Sequence, residues 1–261
     1  MANYQEPSMT QDQDQQDEDR QDQDNLFAKR RATTTGFRFD ENVVRVFPDM
    51  ISRSVPGYEL VVPMIGMLAR RYAQAGSNIY DLGCSLGAAS LAMAMAAKEK
   101  DLKIIALDNS VAMVERCRQV MEENDLPVPV EVRLEDLQEA PIENASVVVL
   151  NFTLQFVDRG YRQSLIERIT KGMRPGGALI ISEKICFEDE SMQSDQTDWY
   201  YDFKRTQGYS DMEIFQKREA LENVLQPDTE QRQIERLLQA GLTRPRRWFQ
   251  CFSFASYIAF R

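Results

Sequence analysis

The run Asn78-Ile-Tyr-Asp-Leu82 ends in Gly83-Cys-Ser-Leu-Gly87 and passes straight into an alanine-rich stretch, residues 88–98; no other feature restricts the fold as much. A strand that turns through glycines into a helix offers free backbone N–H groups, and the glycines let another group approach closely. The same alternation recurs downstream. Residues 103–108 read as a second buried strand, 111–124 as a helix, 128–134 as a third strand and 146–151 as a fourth. The fourth is β-branched and uninterrupted, as in a strand covered on both faces. A helix over 161–173 is broken by Pro175-Gly-Gly177 before a fifth strand, 178–182. Strands alternating with helices predict a parallel sheet with right-handed crossovers.

The flanks are mostly helical. Residues 40–74 read as helix with a break at Ser54-Val-Pro-Gly57, and 198–225 and 229–240 read as further helices. Residues 247–254 and 255–260 read as a closing strand pair. The expectation is one α/β domain over 31–261, with a doubly wound, mostly parallel seven-stranded sheet of Rossmann-like type. Its core lies at 75–185, helices cover it from both flanks, and 190–226 forms a helical lid or dimer region.

Residues 1–25 differ in kind. They hold eight of the chain's carboxylates against Arg20, so the net charge of −10 is concentrated there. This Gln/Asp-rich composition has little to bury, and residues 1–30 are expected to be a disordered tail. The rest of the chain is only weakly acidic, which argues against stable nucleic-acid binding. No apolar run approaches the roughly 20 residues of a membrane span, and four scattered cysteines suit a reducing compartment. The reading is a cytoplasmic, membrane-free protein.

There is no histidine, so nucleophile–histidine pairs and histidine metal sites are excluded, and no metal is expected. Acids instead recur at strand ends. Asp108 closes the second strand, where a carboxylate accepts both hydroxyls of a ribose; Asp136 follows the third, within reach of an adenine amino group. Asn151 ends the fourth, over the crevice where open α/β sheets bind ligands. A dinucleotide site would show G-x-G-x-x-G. The loop here resembles instead the D-x-G-x-G-x-G loop of class I methyltransferases, with Ser85 at the middle glycine. That likeness implies S-adenosyl-L-methionine (SAM) as ligand. The plainer alternative keeps Gly83 and Gly87 as turn residues only.

Several segments resemble a narrower family. Phe47-Pro-Asp-Met-Ile-Ser-Arg-Ser-Val-Pro-Gly-Tyr58, Tyr80-Asp-Leu-Gly-Cys-Ser-Leu-Gly-Ala-Ala89 and Asn144-Ala-Ser-Val-Val-Val-Leu-Asn-Phe-Thr-Leu-Gln-Phe156 are similar to carboxy-S-adenosyl-L-methionine synthases. So are Asp202-Phe-Lys-Arg-Thr-Gln-Gly-Tyr209, Gln216-Lys-Arg-Glu-Ala-Leu-Glu-Asn-Val224 and Trp248-Phe-Gln-Cys-Phe252. The resemblance implies conversion of SAM and prephenate to carboxy-SAM and phenylpyruvate. The product would pass to a tRNA carboxymethyltransferase acting on a wobble uridine. It further implies SAM contacts from Tyr58, Gly83, Cys84, Ser85, Asp108, Asn109, Asp136, Leu137 and Asn151. Arg218 would bind the transferred carboxylate, reaching across a homodimer into the neighbouring site. The chain departs from the family at Tyr200 and Tyr201, where histidines are usual, so the resemblance assigns those two no role.

Arg218 also stands out on its own. On a helix, Ile214, Arg218, Leu221 and Leu225 share one face, and a guanidinium on an apolar stripe needs an anion. That anion is either Glu222, as an i,i+4 pair, or a ligand carboxylate held by the planar fork. Trp199, Tyr200 and Tyr201 are lid candidates or, more plainly, core packing. The chemistry suits a chain without histidine. A methyl on a sulfonium is weakly acidic, and prephenate can expel hydroxide as it decarboxylates, so the substrate would supply the base. Two rivals share the cofactor residues: an ordinary small-molecule methyltransferase, and a catalytically silent SAM-binding partner subunit.

Overall fold

Asp40 starts the first helix by accepting hydrogen bonds from the backbone N–H groups of Asn42 and Val43. This computed structural model describes residues 23–28, 39–99, 101–221 and 224–261. Helices α1 (Glu41–Ser54) and α2 (Tyr58–Tyr72) lead into β1 (Asn78–Leu82), α3 (Ala88–Ala96), β2 (Lys103–Asp108), α4 (Val111–Glu122) and β3 (Val130–Leu134). Then come β4 (Ala145–Asn151), a 3-10 turn (Leu154–Phe156), α5 (Arg159–Gly172) and β5 (Met173–Cys186). The chain ends with α6 (Glu190–Thr206), α7 (Asp211–Leu221), β6 (Asp228–Thr229), α8 (Glu230–Gln239), β7 (Thr243–Cys251) and β8 (Phe254–Phe260).

Among the described residues the sheet runs β3-β2-β1-β4-β5-β8-β7, with the two-residue β6 pairing β5. The pairs from β3 to β5 are parallel, and β8 is antiparallel to both neighbours. This is the expected doubly wound, mostly parallel sheet. Strand residues alternate between two cores because successive side chains leave a strand on opposite faces. Val148 and Leu150 pack with Leu165 and Ile169 of α5, whereas Val147 and Val149 pack with Ile65 of α2 and Met93 of α3. Burial on both faces explains why β4 reads as a continuous apolar run.

Three local readings change. Pro175-Gly-Gly177 does not precede the fifth strand but lies within it, where the β4–β5 register shifts between Ala145 and Val147. A Cβ at Gly177 would sit 2.9 Å from the Arg174 carbonyl oxygen and 3.0 Å from that of Ser146, so the bulge needs glycine. The same strand extends past residue 182, which carries Glu183 and Lys184 over the crevice. The closing pair turns at Phe252 and Ser253, two residues before the expected junction.

The third change concerns the acidic tail. Residues 1–22, the bulk of the segment read as disordered, lie outside the described residues. Residues 23–28 are described, and they are packed. Asp24 and Phe27 are buried, and Gln216 of α7 donates to the Phe27 carbonyl. Composition averaged over the tail hid a short segment that has partners to bind. No described helix is long and apolar enough to cross a membrane.

Candidate active site

A cavity of about 490 Å³ opens at the carboxyl ends of β1, β2, β4 and β5, under α1, α6 and α7. Its first end is built from strand-terminal acids. Asp81 is fully buried; its Oδ2 accepts from the Ser90 hydroxyl at 2.6 Å, while its Oδ1 has no partner among the described residues. Burial pushes its carboxyl up to about 6, against the Ser90 hydrogen bonds. Gly83 follows with φ +78°, and a Cβ there would come within 2.3 Å of Thr153 Cγ2. Ser85, at the position where the generic loop has glycine, also takes a positive φ of 52°. Its backbone N–H donates to Asp108 Oδ2 at 2.9 Å, and that of Ser110 donates to Oδ1 at 2.9 Å. Burial raises the Asp108 pKa, while these N–H groups and that of Asn109 oppose the rise.

The remaining members hang on nearby loops. Asp136 Oδ1 accepts from the Gln138 N–H, and Arg168 secures the turn by donating to the Leu137 and Gln138 carbonyls. Asn151 presents a buried Oδ1 without a partner among the described residues and precedes Phe152, whose φ is +59°. Tyr58 packs 6.3 Å from the Phe152 ring, and burial holds its hydroxyl well above the ordinary tyrosine range. The Cys84 thiol is also driven up, by a hydrogen bond with Cys117 and by burial, so it is no nucleophile. Tyr58, Gly83, Cys84, Ser85, Asp108, Asn109, Asp136, Leu137, Asn151 and Arg218 all line this one cavity. Two acceptors without donors among the described residues, Asp81 Oδ1 and Asn151 Oδ1, suit an adenosyl ligand bearing hydroxyl, amino and cationic groups.

The opposite end is cationic, and sequence reasoning missed most of it. Lys184 from β5, Lys204 from α6 and Lys217 and Arg218 from α7 share the wall. Lys217 is buried and bound to Asp24 Oδ2 at 3.2 Å and Ser54 Oγ at 2.9 Å. Lys204 is only 4% exposed and, among the described residues, has no carboxylate partner. Burial, then the charges of Lys217 and Lys184, push its pKa down to about 7. Lys184 is lowered to about 8 by burial and by Arg218. The one available signal is that Gln196, Tyr200 and Lys204 fall at i, i+4, i+8 on the buried stripe of α6.

The premise about Arg218 is corrected. On α7 the inward side chains are Ile214, Gln216, Lys217 and Ala220, and Arg218 stands exposed at the cavity rim. Water solvates its charge, so burial does not by itself demand an anion there. It makes no hydrogen bond or ion pair among the described residues; Glu222, the alternative partner, lies outside them. Within one chain, Arg218 already borders that chain's own cavity.

A methyltransferase domain family matches residues 79–177, the sheet core with the loop and the acids. The carboxy-S-adenosyl-L-methionine synthase of Citrifermentans bemidjiense is 54% identical over 239 residues, 91% of this chain and 98% of that protein. The chain belongs to the carboxy-S-adenosyl-L-methionine synthase family. The synthase of Hahella chejuensis is 50% identical over 243 residues, again 91% of this chain and 98% of the relative. An O-methyltransferase family protein from Burkholderia thailandensis superposes with a TM-score of 0.61 over 97% of this chain and 70% of its own, at 17% identity. That last likeness is one of fold. Membership in the synthase family covers the cationic end as well as the acidic one, since the match extends far beyond residue 177.

Proposed function

We propose that this chain is a carboxy-SAM synthase, turning SAM and prephenate into carboxy-SAM, phenylpyruvate and water. The observation that carries the reading is 54% identity over nearly the full length of a synthase, in a chain whose cavity at the strand ends has an acidic and a cationic end. Asp108 takes the ribose hydroxyls, Asp136 and Leu137 the adenine, and Gly83, Cys84, Ser85, Asn109, Asn151 and Tyr58 line the remainder of the SAM site. Arg218 binds the carboxylate that is transferred. As prephenate loses CO2 and hydroxide, the hydroxide removes one methyl proton and the carbon accepts the CO2. The protein's own contribution is to hold the two molecules together and exclude water.

The working unit is a homodimer. Met212 and Phe215 are exposed on the outer face of α7 beside Arg218, an apolar patch suited to a second copy. Arg218 then serves the neighbouring subunit's site; mixing Arg218→Ala subunits with Asp108→Ala subunits restores turnover in the mixed dimer if it does. The enzyme works in the cytoplasm, consistent with four free cysteines, and hands carboxy-SAM to a tRNA-modifying carboxymethyltransferase.

The test is mass spectrometry of SAM incubated with the protein, with and without prephenate. A prephenate-dependent product heavier than SAM by the mass of CO2 supports the reading. Methyl transfer to an added acceptor, or retained SAM without turnover, overturns it.

A further inference from the structure

We propose that Lys184 and Lys204 are the receptor for the second carboxylate of a dianionic organic acid, the one that is not transferred. This rests on the synthase reading for the identity of the acid, but the receptor follows from charge. Of the four cations at this end of the cavity, two are provided for. Lys217 has Asp24 and the Ser54 hydroxyl, and Arg218 reaches solvent at the rim. Lys184 and Lys204 have no carboxylate partner among the described residues; Lys204 is buried and Lys184 is only partly exposed.

What they have is an aromatic ring. The Lys184 ammonium lies 4.8 Å from the centroid of Tyr200 and that of Lys204 lies 5.1 Å from it, so both flank one ring. Phe254 adds a second face at 5.9 Å from Lys184, and Tyr209 one at 5.6 Å from Lys204. The Tyr200 hydroxyl donates to the Ser54 carbonyl at 2.9 Å, which holds the ring in place against the two nitrogens. Ring faces soften an ammonium charge without neutralising it. A pair of desolvated, mutually repelling ammonium groups is retained at a cost in stability, and the group that relieves that cost is an anion entering the cavity. The carboxylates at the far end, Asp81, Asp108 and Asp136, would repel such an anion and attract the cationic SAM. The cavity therefore sorts its two occupants by charge.

Lys204→Met and Lys184→Met test this. Three quantities are measured on each variant and on the wild type: the KM for prephenate, calorimetric binding of phenylpyruvate, and SAM affinity. Losing a charged partner is expected to raise the prephenate KM and weaken phenylpyruvate about tenfold or more, with SAM affinity within about twofold of wild type. Thermal midpoints should stay level or rise, because methionine fills similar volume without a charge to desolvate. Unchanged prephenate and phenylpyruvate binding overturns the proposal. A matching loss of SAM affinity also overturns it, assigning the lysines to the carboxylate of SAM itself. A lowered midpoint with all binding reduced gives them a structural role instead. If the wild type makes no carboxy-SAM, the synthase reading fails; phenylpyruvate binding still decides the receptor, and its absence in the wild type overturns that too.

Discussion

The Asp24 carboxylate accepts a hydrogen bond from the Lys217 ammonium at 3.2 Å, across 193 positions of sequence, with both side chains almost fully buried. Tyr209 donates to the same oxygen at 2.6 Å, and the Asp24 backbone is gripped by Asp49 and Arg53. A segment read as disordered thus pins α7, the helix that bears Arg218.

Asp24→Ala leaves Lys217 as an unpaired buried charge, and the expected loss is about 3–5 kcal/mol of unfolding free energy. Urea denaturation measures it. Truncation sharpens the test. Removing residues 1–28 should reproduce the Asp24→Ala defect, because Asp24 goes with them.

Arg218→Ala should keep SAM affinity within about twofold while carboxy-SAM formation falls roughly a hundredfold, the worth of a charge-assisted carboxylate contact made during reaction. Because Arg218 is exposed and has no partner among the described residues, the substitution should leave the thermal midpoint unchanged. A quenched-flow or steady-state assay read by mass spectrometry, beside calorimetry with SAM, checks both halves.

Asp108→Ala acts at the opposite end. It removes the acceptor that two backbone N–H groups already orient, and SAM affinity should drop about ten- to a hundredfold. Calorimetric titration reads the change directly. The loop itself should loosen, because Ser85 loses the hydrogen bond that helps hold its positive φ.

The lysines give a pH dependence of defined sign. Lys204 is lowered to about 7 and Lys184 to about 8. In the ligand-free protein they lose their protons across pH 7–8, while in the unfolded chain they keep them to about 10.4. The unfolded state then binds more protons, so stability should rise as pH climbs from about 7 toward 10, an effect followed by urea unfolding at several pH values. Anion binding requires the charged form and should take up protons near pH 8. The prephenate KM should therefore increase with pH, and binding heats should depend on the buffer's ionisation enthalpy.

The sheet and its acids were readable because both leave local marks. Hydrophobic runs of strand length between helical stretches fix the alternation, and Asp81, Asp108 and Asn151 stand at the ends of those runs. The ten residues expected at the site do meet at one cavity. The cationic end left no such mark. Lysines are ordinarily solvent-facing, and Lys204 and Lys217 become buried, with Lys184 half-buried beside them, only when β5, α6 and α7 converge. Periodicity placed Arg218 on the inward face of α7, but a stripe of four positions does not resolve a rotation of one residue, and Lys217 took the interior place. Asp24 was hidden by the seven acidic neighbours around it, which share its side-chain chemistry.

The order of strands at the sheet's second half bears on how the chain is made. Strand β8 lies between β5 and β7, although β7 precedes it in sequence. The apolar edge of β5 from Ala178 to Lys184 therefore emerges from the ribosome several seconds before the residues that cover it, 254–260. For that interval a nascent chain displays an uncapped, aggregation-prone edge, and neighbouring chains on the same message could pair with it. Synonymous slow codons between residues 186 and 254 would lengthen the exposure, so soluble yield should respond to translation speed there more than anywhere upstream.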